Sequence, residues 1–261
     1  NVIRRAKSPN VAGVMPGKDR PDEYVIYVAH WDHLGRSLAF TGDTIFNGAV
    51  DNATGVGGIL TIAQAFREMV PGPSRSVMFL AVTAEESGLI GSEHYAERPL
   101  VPLEKTAAVI NIDALNPLGR AKDVEVIGFG ASQLEDLLAA AAKSQGRTLM
   151  PDRHSEAGYF YRSDHFNFAK AGVPALYIKS GTTLRDGPPG AGLARYDEYY
   201  AARYHKPGDQ YEASWDVSGT IEDLKLLFEV GAKVANRETW PEWYEGNEFR
   251  AIREASAASR Q

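Results

Sequence analysis

Six short apolar runs, separated by polar or glycine-rich segments, organise this chain. Residues 24–29 (YVIYVA), 76–82 (SVMFLAV) and 106–112 are apolar on both faces, the pattern of strands buried in the middle of a sheet. Residues 124–129 and 174–178 predict two further strands. NVAGVMPG at 10–17 predicts an edge strand that closes on a Pro-Gly turn, with a polar loop over 19–22. Between the runs the apolar spacing changes to the helical period. Ile59, Ile62, Ala63, Phe66 and Val70 mark a helix over 56–70, ended by Pro71-Gly72-Pro73. Residues 133–145 are alanine- and leucine-rich and stop at Gly146. Ile221, Leu224, Leu227, Phe228 and Val234 give an amphipathic helix over 220–236, and short helices are expected at 91–97 and 166–171. Residues 181–200, rich in Gly, Pro and Tyr, predict the longest irregular stretch. The tail 238–261 carries tryptophan, then charge, and is expected to fray at its end.

Strands alternating with helices imply a three-layer α/β fold, with a mostly parallel, mixed central sheet covered on both faces. No internal repeat divides the chain, so 1–261 reads as a single domain. In such sheets ligands bind beyond the carboxyl ends of the strands. His30 directly follows the first central run, Glu85-Glu86 follow the second and Asp113 the third. Residues far apart in sequence therefore meet on one edge.

Composition narrows the function by exclusion. A net charge of −6 argues against nucleic acid or an anionic membrane as partner. The longest basic cluster, Arg4-Arg5 with Lys7, is too short to change that. No apolar run approaches the ~20 residues of a membrane span. With no cysteine there are no disulfides, thiolate metal sites or cysteine nucleophiles.

The chemistry lies in five strings: AHWDHLG at 29–35, AVDNATGVGG at 49–58, TAEESGLIGSEHY at 83–95, NIDA at 111–114 and RYHKPGDQY at 203–211. His30, Asp51, Glu86, Asp113 and His205 make a set of two imidazoles and three carboxylates. That set suits an open hydrolytic zinc centre better than a closed structural one. Asp51 precedes a helix and is open to reading as a helix cap. Its carboxylate also has two oxygens, enough to bridge two ions roughly 3.5–4 Å apart. Adjacent residues leaving a strand point opposite ways, so one of Glu85-Glu86 can hold metal while the other faces substrate as a general base. In an extended segment Asp32 would hold the second nitrogen of His30. Asp209 is expected in a similar supporting role. The Tyr204 hydroxyl is placed to stabilise an oxyanion. His33, His94, His154 and His165 read as non-ligands.

Together with NGAVDNATGVGG and YRSDHFNFAKAGVPA, these strings resemble, in order over about 10–236, the di-zinc peptidases of the bacterial secreted leucyl aminopeptidase family. Glutamate carboxypeptidase and the catalytically silent transferrin receptor ectodomain are relatives. The resemblance implies a metallo-aminopeptidase-like fold, two Zn2+ ions and peptide substrates. By it, His30 and Asp113 hold one ion and Glu86 and His205 the other, and Asp51 bridges them. Glu85 is then the base and Tyr204 the oxyanion donor. Arg162, Ser163 and Asp164 match a substrate-side segment. Tyr159, Phe160, Tyr161 and Phe166 around it are expected to line an apolar wall that favours an apolar first residue with a free amine. A glutaminyl cyclase on the same fold would hold one zinc. A carboxypeptidase or dipeptidase would need cations for a carboxylate, for which Arg162, Lys179 and Arg185 are the candidates near the motifs. A non-catalytic binding module, as in the receptor branch, would be expected to lose ligands that are all present here. The opening NVIRRAK resembles the point where the catalytic fold resumes after a protease-associated domain, with 1–9 as the remnant of a link. An exported precursor, secreted or periplasmic, is the corresponding expectation.

Overall fold

The runs that are apolar on both faces become the centre of one sheet in the computed structural model, which describes residues 6–260; Arg4 and Arg5 lie outside them. Its strands are β1 (Val11–Met15), β2 (Arg20–His30), β3 (Arg75–Val82), β4 (Thr106–Asn111), β5 (Asp123–Val126), β6 (Thr148–Pro151) and β7 (Ala175–Ser180). The order across the sheet is β1-β3-β2-β4-β7-β5-β6. β3, β2, β4 and β7 run parallel, whereas β1 on β3 and β5 on β7 are antiparallel. The mixed sheet of the sequence reading is therefore the one found.

Seven α-helices accompany it among the described residues: α1 (Thr54–Glu68), α2 (Ile90–Glu97), α3 (Leu134–Ser144), α4 (His165–Lys170), α5 (Ala191–Ala202), α6 (Ser218–Asn236) and α7 (Arg250–Ala255). Ile59, Ile62 and Phe66 of α1, Leu134 and Leu138 of α3, and Leu226, Leu227 and Val230 of α6 bury one face of the sheet. Tyr95 of α2, Phe168 of α4, and Trp243 and Phe249 of the tail bury the other. Each fully buried side chain of this kind contributes about 1.5–3 kcal/mol by leaving water.

Two expectations need correction, those over 181–200 and over 19–22. Residues 181–200 are not irregular throughout, because α5 begins at Ala191 and buries Gly192, Tyr196 and Tyr199 at helical spacing. The polar segment expected as a loop over 19–22 is instead the start of β2, with a register shift between Arg20 and Tyr24. The tail is docked well past Glu238: the Trp243 indole donates to the Gly172 carbonyl, and buried Arg253 donates to the Thr106 and Ala107 carbonyls. Its buried groups are paired, and that holds it to the sheet.

Candidate active site

Three strand ends and one return loop build the site. His30 is the last residue of β2, Glu85-Glu86 lie in the turn after β3, and Asp113 lies just past β4. Asn52 ties the end of β4 to the start of α1. Its amide nitrogen donates to the Ile112 carbonyl at 3.0 Å, and its oxygen accepts from the Gly55 and Ala114 N–H groups at 2.9 and 3.2 Å. The N-cap of α1 is Ala53, and it is Asn52, not Asp51, that satisfies the free Gly55 N–H of its first turn. The Asp51 side chain is left free, and its segment is brought beside Asp113. A Cβ on Gly55 would lie 2.2 Å from that Asn52 oxygen and 2.4 Å from the Ile112 carbonyl oxygen, so the approach requires glycine.

From the other side Asp209, fully buried, accepts the Val50 and Asp51 N–H groups at 3.0 Å each and the Tyr199 hydroxyl at 3.3 Å. The loop that carries His205 is thus fastened to the segment that carries Asp51. Ala84, Ala114 and His205 all have φ of 55°, a left-handed conformation that costs a non-glycine residue roughly 1–2 kcal/mol. All three adjoin or belong to the site, where strain of this kind is commonly held.

These constraints bring the acidic and imidazole groups together. His30 Nε2 lies 3.2 Å from Asp51 Oδ1 and 3.5 Å from Asp113 Oδ1. His205 Nε2 lies 3.1 Å from Asp51 Oδ2 and 3.3 Å from Glu86 Oε2. One Asp51 oxygen therefore faces the His30–Asp113 pair and the other the Glu86–His205 pair. Glu85 joins His30 and Asp113 in one group of donors, while Glu86 joins Asp51 in another. The Tyr204 ring stacks on His205 with centroids 3.9 Å apart. All seven residues line one cavity of about 490 Å³.

Electrostatics in this cavity are dominated by crowded carboxylates. Burial, and then the charge of Asp113, lifts the Glu85 carboxyl to about 10. Burial also works to raise Asp51, but hydrogen bonds to His205 and His30 overcome it and hold that carboxyl low. His30 is pressed toward neutrality by burial, yet Asp113 and Asp51 raise it well above its ordinary value. Three imidazoles, those of His30, His33 and His205, are thus left to balance four carboxylates. Divalent cations would relieve that imbalance, and imidazole and carboxylate donors in an open cavity suit zinc. The residues present fit such a group.

Several residues act differently from the sequence reading. The second ring nitrogen of His30 meets the Asp32 backbone carbonyl at 3.0 Å, while the Asp32 carboxylate is 3.9 Å away. Strand alternation fails there because β2 ends at His30. Asp32 Oδ1 accepts the Glu85 N–H at 3.2 Å instead, and so orients the turn after β3. Ser163 lines the cavity, but its hydroxyl donates to Asp113 Oδ2 at 2.6 Å and accepts from the Asn111 amide at 2.7 Å. Asp164 is fully buried behind the site, not on its substrate side, and burial pushes its carboxyl up to about 7. Phe166 does not line the cavity either. It packs on Tyr161, with ring centroids 5.2 Å apart, and near Phe249; Phe160 likewise packs on Phe249. Tyr159, Tyr161 and Arg162 do line it, along with Tyr177, Lys179 and Tyr200. Arg185 turns away, donating to the Ala121 carbonyl at 3.3 Å and the Gln145 carbonyl at 2.5 Å.

His33 was missed. Its Nδ1 lies 2.7 Å from Glu86 Oε1, and its ring meets His205 edge-on. The His-Trp-Asp-His spacing carried that signal, since a chain turning after β2 returns its second histidine to the same edge. His94 and His154 are exposed and stand apart from the donor groups.

The family model described as Peptidase family M28 matches residues 10–228. Aminopeptidase NAALADL1 of Mus musculus is 36% identical over 118 residues, which are 43% of this chain and 14% of that protein. The Glutamate carboxypeptidase 2 homolog of Caenorhabditis elegans is 26% identical over 189 residues, 69% of this chain and 22% of that protein. Among solved structures, BSAP, a zinc aminopeptidase from Bacillus subtilis, superposes with a TM-score of 0.64 at 22% identity, covering 88% of this chain and 51% of that one. LapB from Legionella pneumophila gives a TM-score of 0.63 at 21% identity, covering 88% and 56%. The fold is shared, and this chain spans only part of each relative's length.

Proposed function

The chain belongs to peptidase family M28, and from that premise we propose that it is a zinc-dependent exopeptidase that removes N-terminal residues from peptides at a two-metal centre. The observation that carries this reading is the division of Asp51, with Oδ1 3.2 Å from His30 and Oδ2 3.1 Å from His205. A buried carboxylate turned toward two separate donor sets is the arrangement a shared ligand needs. His30 and Asp113 would hold one ion, Glu86 and His205 the other, and Asp51 both. When bound, the pair supplies Lewis acidity that polarises a scissile carbonyl and lowers the pKa of an attacking water.

The remaining steps belong to the chain. The Glu85 carboxylate accepts a proton from the water at one of its oxygens and returns it to the leaving amine. The cations expected here would bring its carboxyl, lifted to about 10 in their absence, back to the charged form a base requires. Asp32 fixes the Glu85 backbone, and Ser163 occupies Asp113 Oδ2 so that Oδ1 stays turned to His30. The Tyr204 hydroxyl, on a ring held against His205, donates to the oxygen that gains charge.

Hydrolysis of aminoacyl p-nitroanilides, with and without an acetyl group on the amine, tests the assignment. The free amines should be cleaved and the acetylated forms left intact. Equal rates on both would exclude an aminopeptidase while leaving a di-zinc hydrolase standing.

A further inference from the structure

The turn that carries Glu85 and Glu86 is held in an uncommon shape. Ala84, Gly88 and Leu89 have φ of 55°, 99° and 62°, so left-handed residues stand on both sides of the acidic pair. The turn closes on itself through backbone bonds. The Gly88 and Leu89 N–H groups donate to the Glu85 carbonyl at 2.9 and 2.8 Å, and the Ile90 N–H donates to the Ala84 carbonyl at 3.1 Å. These bonds lie within 84–90 and do not fix the turn to the sheet.

That connection comes from Asn10, the first residue of the NVAGVMPG string. Val11 pairs with Ala81 in the antiparallel β1–β3 register, and just before it the Asn10 side chain takes over from backbone pairing. Asn10 Oδ1 accepts the Thr83 N–H at 3.0 Å, and Asn10 Nδ2 donates to the Gly91 carbonyl at 2.8 Å. Thr83 enters the turn and Gly91 leaves it, so one amide spans both its feet. A carboxamide supplies a donor and an acceptor together, which neither a carboxylate nor an aliphatic side chain does. The feet are close: a Cβ on Gly91 would lie 2.1 Å from the Thr83 carbonyl oxygen and 2.8 Å from Asn10 Oδ1.

The residues beside Asn10 reinforce the tie. Ser8 Oγ lies 2.5 Å from Thr83 Oγ1, and the indole of Trp31, one residue past His30, donates to the Pro9 carbonyl at 3.1 Å. Residues 8–10 thus hold the chain just beyond β2 and just beyond β3, the strand ends that present His30, Glu85 and Glu86. Asn10 itself lies outside the metal cavity, in a separate groove with Ile90 and His94. Asp32 holds the Glu85 N–H, while Asn10 holds the feet of the same turn.

We propose that Asn10 is a positioning residue for the acidic pair. By bridging Thr83 and Gly91 it keeps Glu85 turned to the water it deprotonates and Glu86 turned to His205 and the metal they share. The inference rests on the roles given to the two glutamates above. A displacement of about 1 Å at such a turn is enough to cost on the order of 10²-fold in rate.

Asn10→Leu fills the same space and makes neither bond. In zinc-saturated protein its kcat on leucyl p-nitroanilide should fall by about 10–100-fold, with KM held within about twofold. The second equivalent of zinc should bind about tenfold more weakly. The Gly88, Leu89 and Ile90 amides should exchange with deuterium about tenfold faster, while those of β2 and β4 keep their rates. Asn10→Gln, with donor and acceptor on a longer stem, should fall between the two proteins in all three measurements. Unchanged kcat, zinc affinity and exchange in Asn10→Leu would overturn the proposal. Equal losses in Asn10→Leu and Asn10→Gln would overturn it too, by making Asn10 a packing residue. Should Asn10→Leu fail to fold, Asn10→Gln decides: zinc affinity and exchange altered at the turn alone support the bridge, and unaltered values remove it. If the unchanged protein cleaves no peptide, the peptidase reading fails, and zinc affinity and amide exchange judge Asn10 by themselves.

Discussion

Two clusters of buried charge in this molecule are built on opposite principles. Between α3, α6 and β7, the side chains of Asp223 and Arg147 are each 1% exposed, and Asp223 Oδ1 meets Arg147 Nη2 at 2.6 Å. The other Asp223 oxygen accepts the Ser180 hydroxyl at 2.8 Å, and Arg147 also donates to the Asp123 carbonyl at 2.8 Å. Opposite charges cancel there, and the pair ties a helix to the strands beneath it. Around the ends of β2, β3 and β4 four carboxylates crowd against three imidazoles, and burial, then the charge of Asp113, lifts Glu85 to about 10. The chain has not balanced this second cluster from its own residues. A buried charge matched by the chain holds the fold, and one left unmatched at a cavity is set aside for something that enters it.

The largest expected effect lies in the unmatched cluster. Asp51→Ala should remove both metals and lower activity by at least about 10⁴-fold, because the Lewis-acid and base contributions go together. His205→Ala should mainly empty one site. Elemental analysis beside the rate distinguishes the two. If Asp51→Ala kept its metals, this carboxylate would not be the shared ligand.

Next in size is the contrast within the acidic pair. Glu85→Gln should keep the metals and the fold while turnover falls roughly 10²–10⁴-fold. Glu86→Gln should reduce metal occupancy instead. Identical or reversed behaviour would exchange or merge the two roles.

In the matched cluster the same kind of change should act on stability alone. Asp223→Ala leaves Arg147 buried without its partner and should cost about 3–5 kcal/mol in a denaturant titration, with metal content preserved in the folded fraction. A loss of metal stoichiometry in that fraction would break the distinction between the clusters.

The smallest effect concerns acid. His165 is fully buried against Phe160 and Tyr177, and burial lowers its pKa to about 3 from an ordinary 6.5. Between those values the unfolded chain binds a proton that the folded chain does not, so stability falls as pH drops below about 6.5. At pH 5 the loss is about 2 kcal/mol. His165→Phe should flatten that slope in melts taken from pH 7 to pH 5, and an unchanged slope would remove His165 as its source.

The parts of the fold legible in the sequence were those with strong burial patterns. β2, β3 and β4 are apolar on both faces, and α1 and α6 carry a clear helical stripe. His30, Glu85, Glu86 and Asp113 could be read because they follow the ends of such strands, whereas Asp51 and His205, before α1 and after α5, rested on residue type and the family resemblance. β6 offered no pattern, being a four-residue edge strand with mostly exposed side chains. In α5 the buried positions are Gly192, Tyr196 and Tyr199, and a glycine and two tyrosines mask helical spacing as turn and strand propensity. Within the site, spacing located Asp32 and the family resemblance located Ser163 and Asp164, but neither gave their partners, which depend on how the chain turns once a strand has ended. His33 escaped for the same reason.

The number of zinc ions per chain tests the two-metal account most directly. Protein purified without chelator, then stripped and titrated with zinc, should recover full peptidase activity only as the second equivalent is added, and elemental analysis should approach two ions per chain. Full activity at a single equivalent, with the second ion unbound, would contradict the account.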